Sequence, residues 1–377
     1  MKWSKLGPTA ALSFVLALSA GVALAPVASA LVPPRNGEAV KSKLAVESLM
    51  LSVTRAGTRM VAVGEFGNII LSDDNGKTWR QANKVPTTMT LTGVVFVNDK
   101  KGWAVGHDSV IITTDDSGEN WVRQYGGAAA DSDVALLSVF FRDESNGMAV
   151  GAFNKTLETK DGGKTWVKRD TLMPPREPSK APSVEDSEVT DVATVAASAQ
   201  NDPFARTGAD ENHLNSIFAG PDANTIYIAA EGGAAYRSGD AGVTWKKIYT
   251  GYIGSFWGGF TAKNGHVYLT GMRGNIWRST DQGSTFQKLD TKGADQSIAA
   301  GIELRDGSMV FVGLGGQVLY SADGSDFTLT YRGDRKALSS IIEDTDTLYV
   351  FGEFGVKTQS LKPRPEETEI VAPAAPK

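Results

Sequence analysis

The sequence contains no cysteine, which excludes disulfides, thiolate catalysis and cysteine-based metal sites together. Histidine is nearly as scarce. His107, His213 and His266 are the only three, and they fall in unlike contexts with no metal-ligand spacing. Positive charge is not in excess. The formal net charge of −5 implies no general attraction to nucleic acid or to anionic lipid. Beyond the N-terminus, no apolar run is long enough to cross a bilayer. No Gly-x-Ser-x-Gly elbow leads from a strand into a helix. The expectation is therefore no catalytic residue, no cofactor and no metal.

Glycine, by contrast, is abundant, at 41 of 377 residues, and it separates many short apolar runs. That pattern favours strands and turns over long helices. The N-terminus carries a different signal. Lys2 and Lys5 precede an apolar stretch over 10–25, and Ala28-Ser29-Ala30 is a small-x-small cleavage site. Residues 1–30 read as a secretory signal peptide cleaved near Ala30, so the mature protein is expected to be exported and periplasmic.

One motif recurs through the rest. Ser72 to Trp79 reads Ser-x-Asp-x-Gly-x-Thr-Trp, and it returns at 114–121, 159–166, 238–245 and 279–286, with a shortened copy at 321–327. Its aspartates are Asp74, Asp116, Asp161, Asp240, Asp281 and Asp323. A carboxylate there folds back on its own loop N–H groups, glycine permits the turn, and the aromatic opens the next strand. The loops lack the downstream bidentate glutamate of a calcium loop. They read as structural turns.

A second ruler is the glycine that ends one strand of each unit: Gly64, Gly106, Gly151, Gly271, Gly313 and Gly352, with Ala230 in the fourth unit. The spacings cluster near 42, with one of 79. Four short strands per unit at this period are the signature of a propeller. The fold expected is all-β, a seven-bladed β-propeller of four-stranded blades over 31–361, with one insertion at about 170–212. Residues 362–377, rich in Pro, Glu and Ala, read as a disordered tail. The seventh unit lacks a fourth strand. Residues 31–46 are the expected donor, with 369–371 as the alternative.

In a propeller, the loop between second and third strands shares a face with the loops joining blades. Those loops vary here. Glu65, Phe66, His107, Asp108, Phe153, Glu231, Met272, Arg273, Glu353 and Phe354 are expected to crowd one face around the channel as a recognition surface. The basic residues after each aromatic, such as Arg80, Arg123, Lys168 and Lys246, read as charges that protect blade edges.

The repeated motif is the Asp-box, or BNR repeat, found in sialidases and sortilin-type receptors. The longer unit Ala62-Val63-Gly64-x-x-Gly67-x-Ile69-x-x-Ser72-x-Asp74-x-Gly76-x-Thr78-Trp79, with 155–166 and 274–286, resembles the photosystem II stability/assembly factor family. The likeness covers about 49–358. It implies a seven-bladed propeller that assists membrane-complex assembly without being an enzyme. Relatives also occur in non-photosynthetic bacteria, often in genomic company with RND-type exporters, and that bacterial type is the one resembled here. The partner so implied is an envelope membrane-protein complex, an RND-type exporter among the candidates. The protein is expected to act as a monomer without nucleic acid or a membrane span after cleavage. The alternative function is that of a sialidase-like glycoside hydrolase or a carbohydrate-binding propeller. Val32-Pro33-Pro34-Arg35 does not match the sialidase Arg-Ile-Pro motif, and no catalytic residue is carried over.

Overall fold

A computed structural model describes residues 37–126, 134–169, 172, 212–345 and 347–360. They form seven antiparallel sheets, six of four strands and one of three, each in sequential strand order. The first strands of the blades are Met50–Ala56, Leu91–Phe96, Leu136–Phe141, Leu214–Ala219, Phe256–Thr261, Ile298–Glu303 and Leu338–Asp344. Each packs beside the next, and the seventh returns to the first, closing the ring. This is the seven-bladed propeller read from the repeat. The second strands, such as Gly102–Gly106 and Met309–Gly313, are wholly buried. Their apolar runs form the layers between blades, where burial stabilises by about 25 cal/mol per Å² of apolar surface.

The Asp-box geometry is the same in five blades. In the first, Asp74 accepts hydrogen bonds from the Thr78 N–H (2.8 Å) and hydroxyl (2.6 Å), and the Ser72 hydroxyl donates to it at 2.9 Å. The Gly76 N–H then donates to Ser72 Oγ at 2.8 Å, closing the turn. Trp79 Nε1 donates to the Gly76 carbonyl at 3.0 Å. Copies at Asp161, Asp240 and Asp281 repeat the carboxylate bonds within 0.1 Å or so. Asn120 replaces threonine opposite Asp116 and donates from its amide instead.

Each box also receives the neighbouring blade. Trp103 Nε1 of the second blade donates to Gly162 of the third, at 3.2 Å. The Tyr227 hydroxyl of the fourth blade donates to Gln282 of the fifth, at 2.8 Å. The Tyr268 hydroxyl of the fifth donates to Gly324 of the sixth, at 3.2 Å. Tyr349 of the seventh lies so close over Gly76 of the first that a Cβ there would fall 2.4 Å from its ring.

The glycine that ends each second strand is explained by close approach. A Cβ on Gly64, Gly106, Gly151, Gly313 or Gly352 would stand 1.9–2.1 Å from a carbonyl oxygen at the entry to its own blade's first strand. Every first strand then bulges one residue after that point.

Two expectations about the edges need comment. The N-terminal segment does not supply a strand to the seventh blade within its described part. Ala39 N–H donates to the Val85 carbonyl (2.9 Å), Gln81 Nε2 to that of Val40 (3.0 Å), and Ser42 N–H to Gln81 Oε1 (3.1 Å), so 39–42 run along the first blade. Lys43–Glu47 is a 3-10 helix between the first and seventh blades, held there because Val46 meets the backbone of Gly355. The ring is closed by side chains instead. Ser339 Oγ donates to the Met50 carbonyl, and Arg55 to the carbonyl of Glu343 and, at 2.9 Å, to Asp344. The alternative donor at 369–371, the signal peptide and most of the insertion lie outside the described residues. Leu172 is buried with Tyr236 and Trp245.

Gly313→Ala is expected to lower unfolding stability by about 2 kcal/mol through overpacking, read as a reduced urea midpoint. The boxes predict an acid limb. Asp74, Asp161, Asp240 and Asp281 are held down to about 2 by the threonine hydroxyl and N–H that each accepts. Folded values below the unfolded ones mean that this stabilisation is full above about pH 4 and is lost as pH falls toward 2. The urea midpoint should fall over that window, and less steeply in Thr244→Val.

Candidate functional site

In the first six blades the loops between second and third strands are two-residue hairpin turns of one type. The central pairs are Phe66-Gly67, Asp108-Ser109, Phe153-Asn154, Gly232-Gly233, Arg273-Gly274 and Gly315-Gly316, and both residues of each pair have positive φ. That is the type I′ turn, whose twist matches antiparallel strands. The second position is pressed on the loop that leads to the next blade. A Cβ on Gly67, Gly233 or Gly274 would lie 1.6–2.0 Å from the carbonyls of Thr87, Tyr252 or Ala294. Hydrogen bonds brace the same contact: Asn154 N–H to Asn212 (3.0 Å), Gly233 N–H to Gly254 (2.7 Å) and Gly274 N–H to Gln296 (2.8 Å). These turns and the inter-blade loops therefore share one face.

The first position of the turn points outward and its occupant varies. Phe66 has φ 56° and Phe153 φ 52°, and each ring is 60% exposed. A left-handed conformation costs a β-carbon residue about 1–2 kcal/mol, and bulky side chains rarely adopt it. Here that cost places a large apolar ring in solvent. Ile253, on the loop between the fourth and fifth blades, is 87% exposed, and Met272 is 37% exposed.

The ten residues singled out from the sequence divide by role. Phe66, His107, Arg273 and Glu353 are exposed. Phe153 meets the His213 ring edge-on at 5.0 Å, and His213 Nδ1 lies 3.7 Å from Glu231, so blades three and four bring two of the ten together through His213. Glu65 and Glu231 do backbone work. Glu65 accepts the Leu49 N–H at 2.9 Å and Glu231 the His213 N–H at 3.1 Å, each pinning the entry to its own blade. Met272 offers its carbonyl to the Tyr252 hydroxyl at 3.0 Å. Asp108 is half-buried. Phe354 is half-buried too, with Arg332 5.5 Å and Lys357 5.0 Å from its ring centre.

The expectation that these ten crowd the channel needs correction. A cavity of about 790 Å³ opens between the seven first strands, and of the ten only Glu353 lines it. The turns stand one strand farther out, so they ring the face at a distance from the axis. The mouth belongs to the bulged residues of the first strands, Leu51, Thr92, Leu137, Asn215, Trp257, Ala299 and Ser339. Thr92, Asn215 and Ser339 turn sideways and donate to the carbonyls of Leu136 (2.7 Å), Phe256 (2.6 Å) and Met50 in the next blade. Leu51, Leu137 and Trp257 leave apolar surface at the mouth. The legible signal for Trp257 was its place directly after Phe256, one residue inside a first strand.

No group of three or more His, Asp or Glu among the described residues is placed to hold a metal, and no described helix is long and apolar enough to cross a membrane. Residues 81–168, the second and third blades with their approach, match the family described as photosynthesis system II assembly factor YCF48. Over those residues, under half of the chain, the sequence is similar to that family. A solved structure described as YCF48 bound to D1 peptide is similar at 15% identity and TM-score 0.59, over 84% of this chain and 94% of that one. YCF48 from Cyanidioschyzon merolae gives 18% and 0.58, over 82% and 94%. A virginiamycin B lyase from Staphylococcus aureus gives 10% and 0.62, over 85% and 96%. At these identities the likeness is one of fold. No curated protein sequence matches the chain.

Proposed function

We propose that this assembly factor-like propeller is an exported, non-enzymatic binding factor that docks a segment of an envelope membrane-protein complex on the face bearing Phe66 and Phe153. The observation that carries the reading is those two aromatic rings, held in solvent at strained turn positions where glycine would be cheaper. Ile253 and Met272 add apolar surface to the same face, and Arg273, His107 and Glu353 supply the polar rim of a recognition surface. The solved YCF48 with a bound D1 peptide supports a protein ligand. The N-terminal signal supports export, and the resemblance supports an RND-type exporter as the class of complex.

The glycoside hydrolase reading loses its best carboxylates to structure. Glu65 and Glu231 are each hydrogen-bonded to a backbone N–H of their own blade, which gives both carboxylates a structural task.

The test uses the mature chain as bait against solubilised envelope membranes. Phe66→Asn and Phe153→Asn keep a residue that tolerates the left-handed turn while removing the ring. Each should leave the thermal midpoint unchanged or raised and weaken capture about tenfold, as expected for loss of an aromatic anchor worth about 1–2 kcal/mol. Undiminished capture by the double variant would place the binding surface elsewhere. Turnover on a glycosidase substrate panel would replace the reading altogether.

A further inference from the structure

The junctions between blades are not alike. At three of them the second strand of one blade sends a donor-bearing ring to the box of the next: Trp103 to the Gly162 carbonyl, Tyr227 to that of Gln282 and Tyr268 to that of Gly324. Each ring also stacks on a first-strand phenylalanine. Trp103 lies 3.5 Å from Phe141 between centroids, Tyr227 5.7 Å from Phe218 and Tyr268 5.2 Å from Phe260. The junction between the third and fourth blades has the same seat without the ring. Met148 stands at the strand position of Trp103, Tyr227 and Tyr268. Phe140 lies opposite it in the ladder, as Phe218 lies opposite Tyr227 and Phe260 opposite Tyr268. Methionine covers this seat less closely. A Cβ on the box glycine would lie 2.6 Å from Tyr227 at Gly283 and 2.2 Å from Tyr268 at Gly324, but 3.4 Å from Met148 at Gly242. Phe140 is only partly buried and stacks on no ring among the described residues. The Ala241 carbonyl, which matches those of Gly162 and Gln282, accepts no hydrogen bond from a described residue. Phe140, Met148 and Ala241 line one cavity of about 290 Å³ with Ile226, Gly242 and Val243. Val243 is 68% exposed, so the cavity opens to solvent there. An apolar cavity of about 150 Å³ already admits a benzene ring.

We propose that this cavity is a binding site for an aromatic ring that carries a hydrogen-bond donor, a phenol or an indole. The ring lies on the face of Phe140, and its O–H or N–H donates to the Ala241 carbonyl. The neighbouring junctions make the same two contacts within the chain, so the ligand supplies the group that Met148 does not. Ring burial and stacking provide the attraction, and the carbonyl selects for a donor, since a ring without one leaves that acceptor unpaired. Methionine suits such a seat because its unbranched side chain can shift around an incoming ring. The same chemistry comes from a tyrosine or tryptophan of a partner protein or from a free phenol.

The test titrates the mature chain by NMR with p-cresol, which is the tyrosine side chain as a free molecule, and with toluene, the same ring without the donor. p-Cresol should bind saturably and about fivefold tighter than toluene. Met148→Tyr places the ring of the neighbouring junctions in the seat. It should weaken p-cresol binding at least about tenfold and leave the thermal midpoint unchanged or raised. Phe140→Leu removes the stacking face and should weaken binding about threefold, which keeps the test decisive if Met148→Tyr does not fold. An uncharged pentapeptide with a central tyrosine separates the sources: tighter binding than p-cresol assigns the site to a partner's side chain, and exclusion of the peptide assigns it to a free phenol. No saturable binding of p-cresol, equal affinity for toluene, or undiminished binding by either folded variant would each overturn the assignment. Phe66 and Phe153 lie on the opposite face from the boxes, so these outcomes are independent of partner capture there.

Discussion

The structure depends on the contact between each Asp-box and the blade before it. The box is a turn that closes one blade, yet its glycine is also a socket. Trp103, Tyr227 and Tyr268 reach from one blade's second strand to a carbonyl of the next blade's box, and Tyr349 lies over Gly76. The aspartate holds the loop in shape by internal bonds, and the missing side chain at the glycine leaves room for the neighbour's ring. Turn chemistry and inter-blade packing are thus one requirement. A large ring delivers more buried area per residue than any aliphatic, and its polar tip has to find a partner when buried. The box carbonyls meet that need. Burial raises the tyrosine hydroxyls' affinity for their protons, keeping them as donors.

This coupling explains why the fold was legible and much of the site was not. The box and the strand-ending glycine are both fixed by steric demands that recur in six blades each, and together they counted seven blades. Residues whose work differs between blades left no such trace. Glu65 and Glu231 stand in the same loop position as exposed His107, and only the structure shows that they hold backbone N–H groups. Phe354 reads like Phe66 in sequence, since both sit in Gly-Glu-Phe-Gly. Yet Gly355 alone takes positive φ in the seventh turn, and Arg332 and Lys357 flank the ring. The channel mouth was illegible for another reason. It is lined at bulges, where one residue leaves the alternation that sequence patterns follow.

The bulges also show how the described blades meet where the ring closes. The same backbone position that faces the channel in Leu51 is turned sideways in Ser339, where a hydroxyl bridges the seventh blade to the first. Arg55 and Asp344 repeat that bridge nearer the opposite face. Apolar layers from Met50, Met60 and Ile70 to Phe351 make the junction continuous with the others. Among the described residues, packing and side-chain bridges between blades make this closure.

The turns on the other side of the molecule obey a different logic from the boxes. Nothing in the type I′ geometry asks for a side chain at its first position, and glycine occupies it in the fourth and sixth blades. Where glycine stands, the turn is unstrained. Where Phe66, Asp108, Phe153 and Arg273 stand, the fold carries a backbone cost, and the Phe66 and Phe153 rings remain largely exposed although Phe153 meets the edge of His213. Three of these four positions fall on consecutive blades, the first to the third. On the proposed reading, strain marks the footprint. A partner would lie across the first three blades, with Ile253 and Arg273 beyond the bare fourth turn as an outlying contact. The axial cavity would then serve the partner only at its rim, through Glu353 and the apolar mouth at Leu51, Leu137 and Trp257.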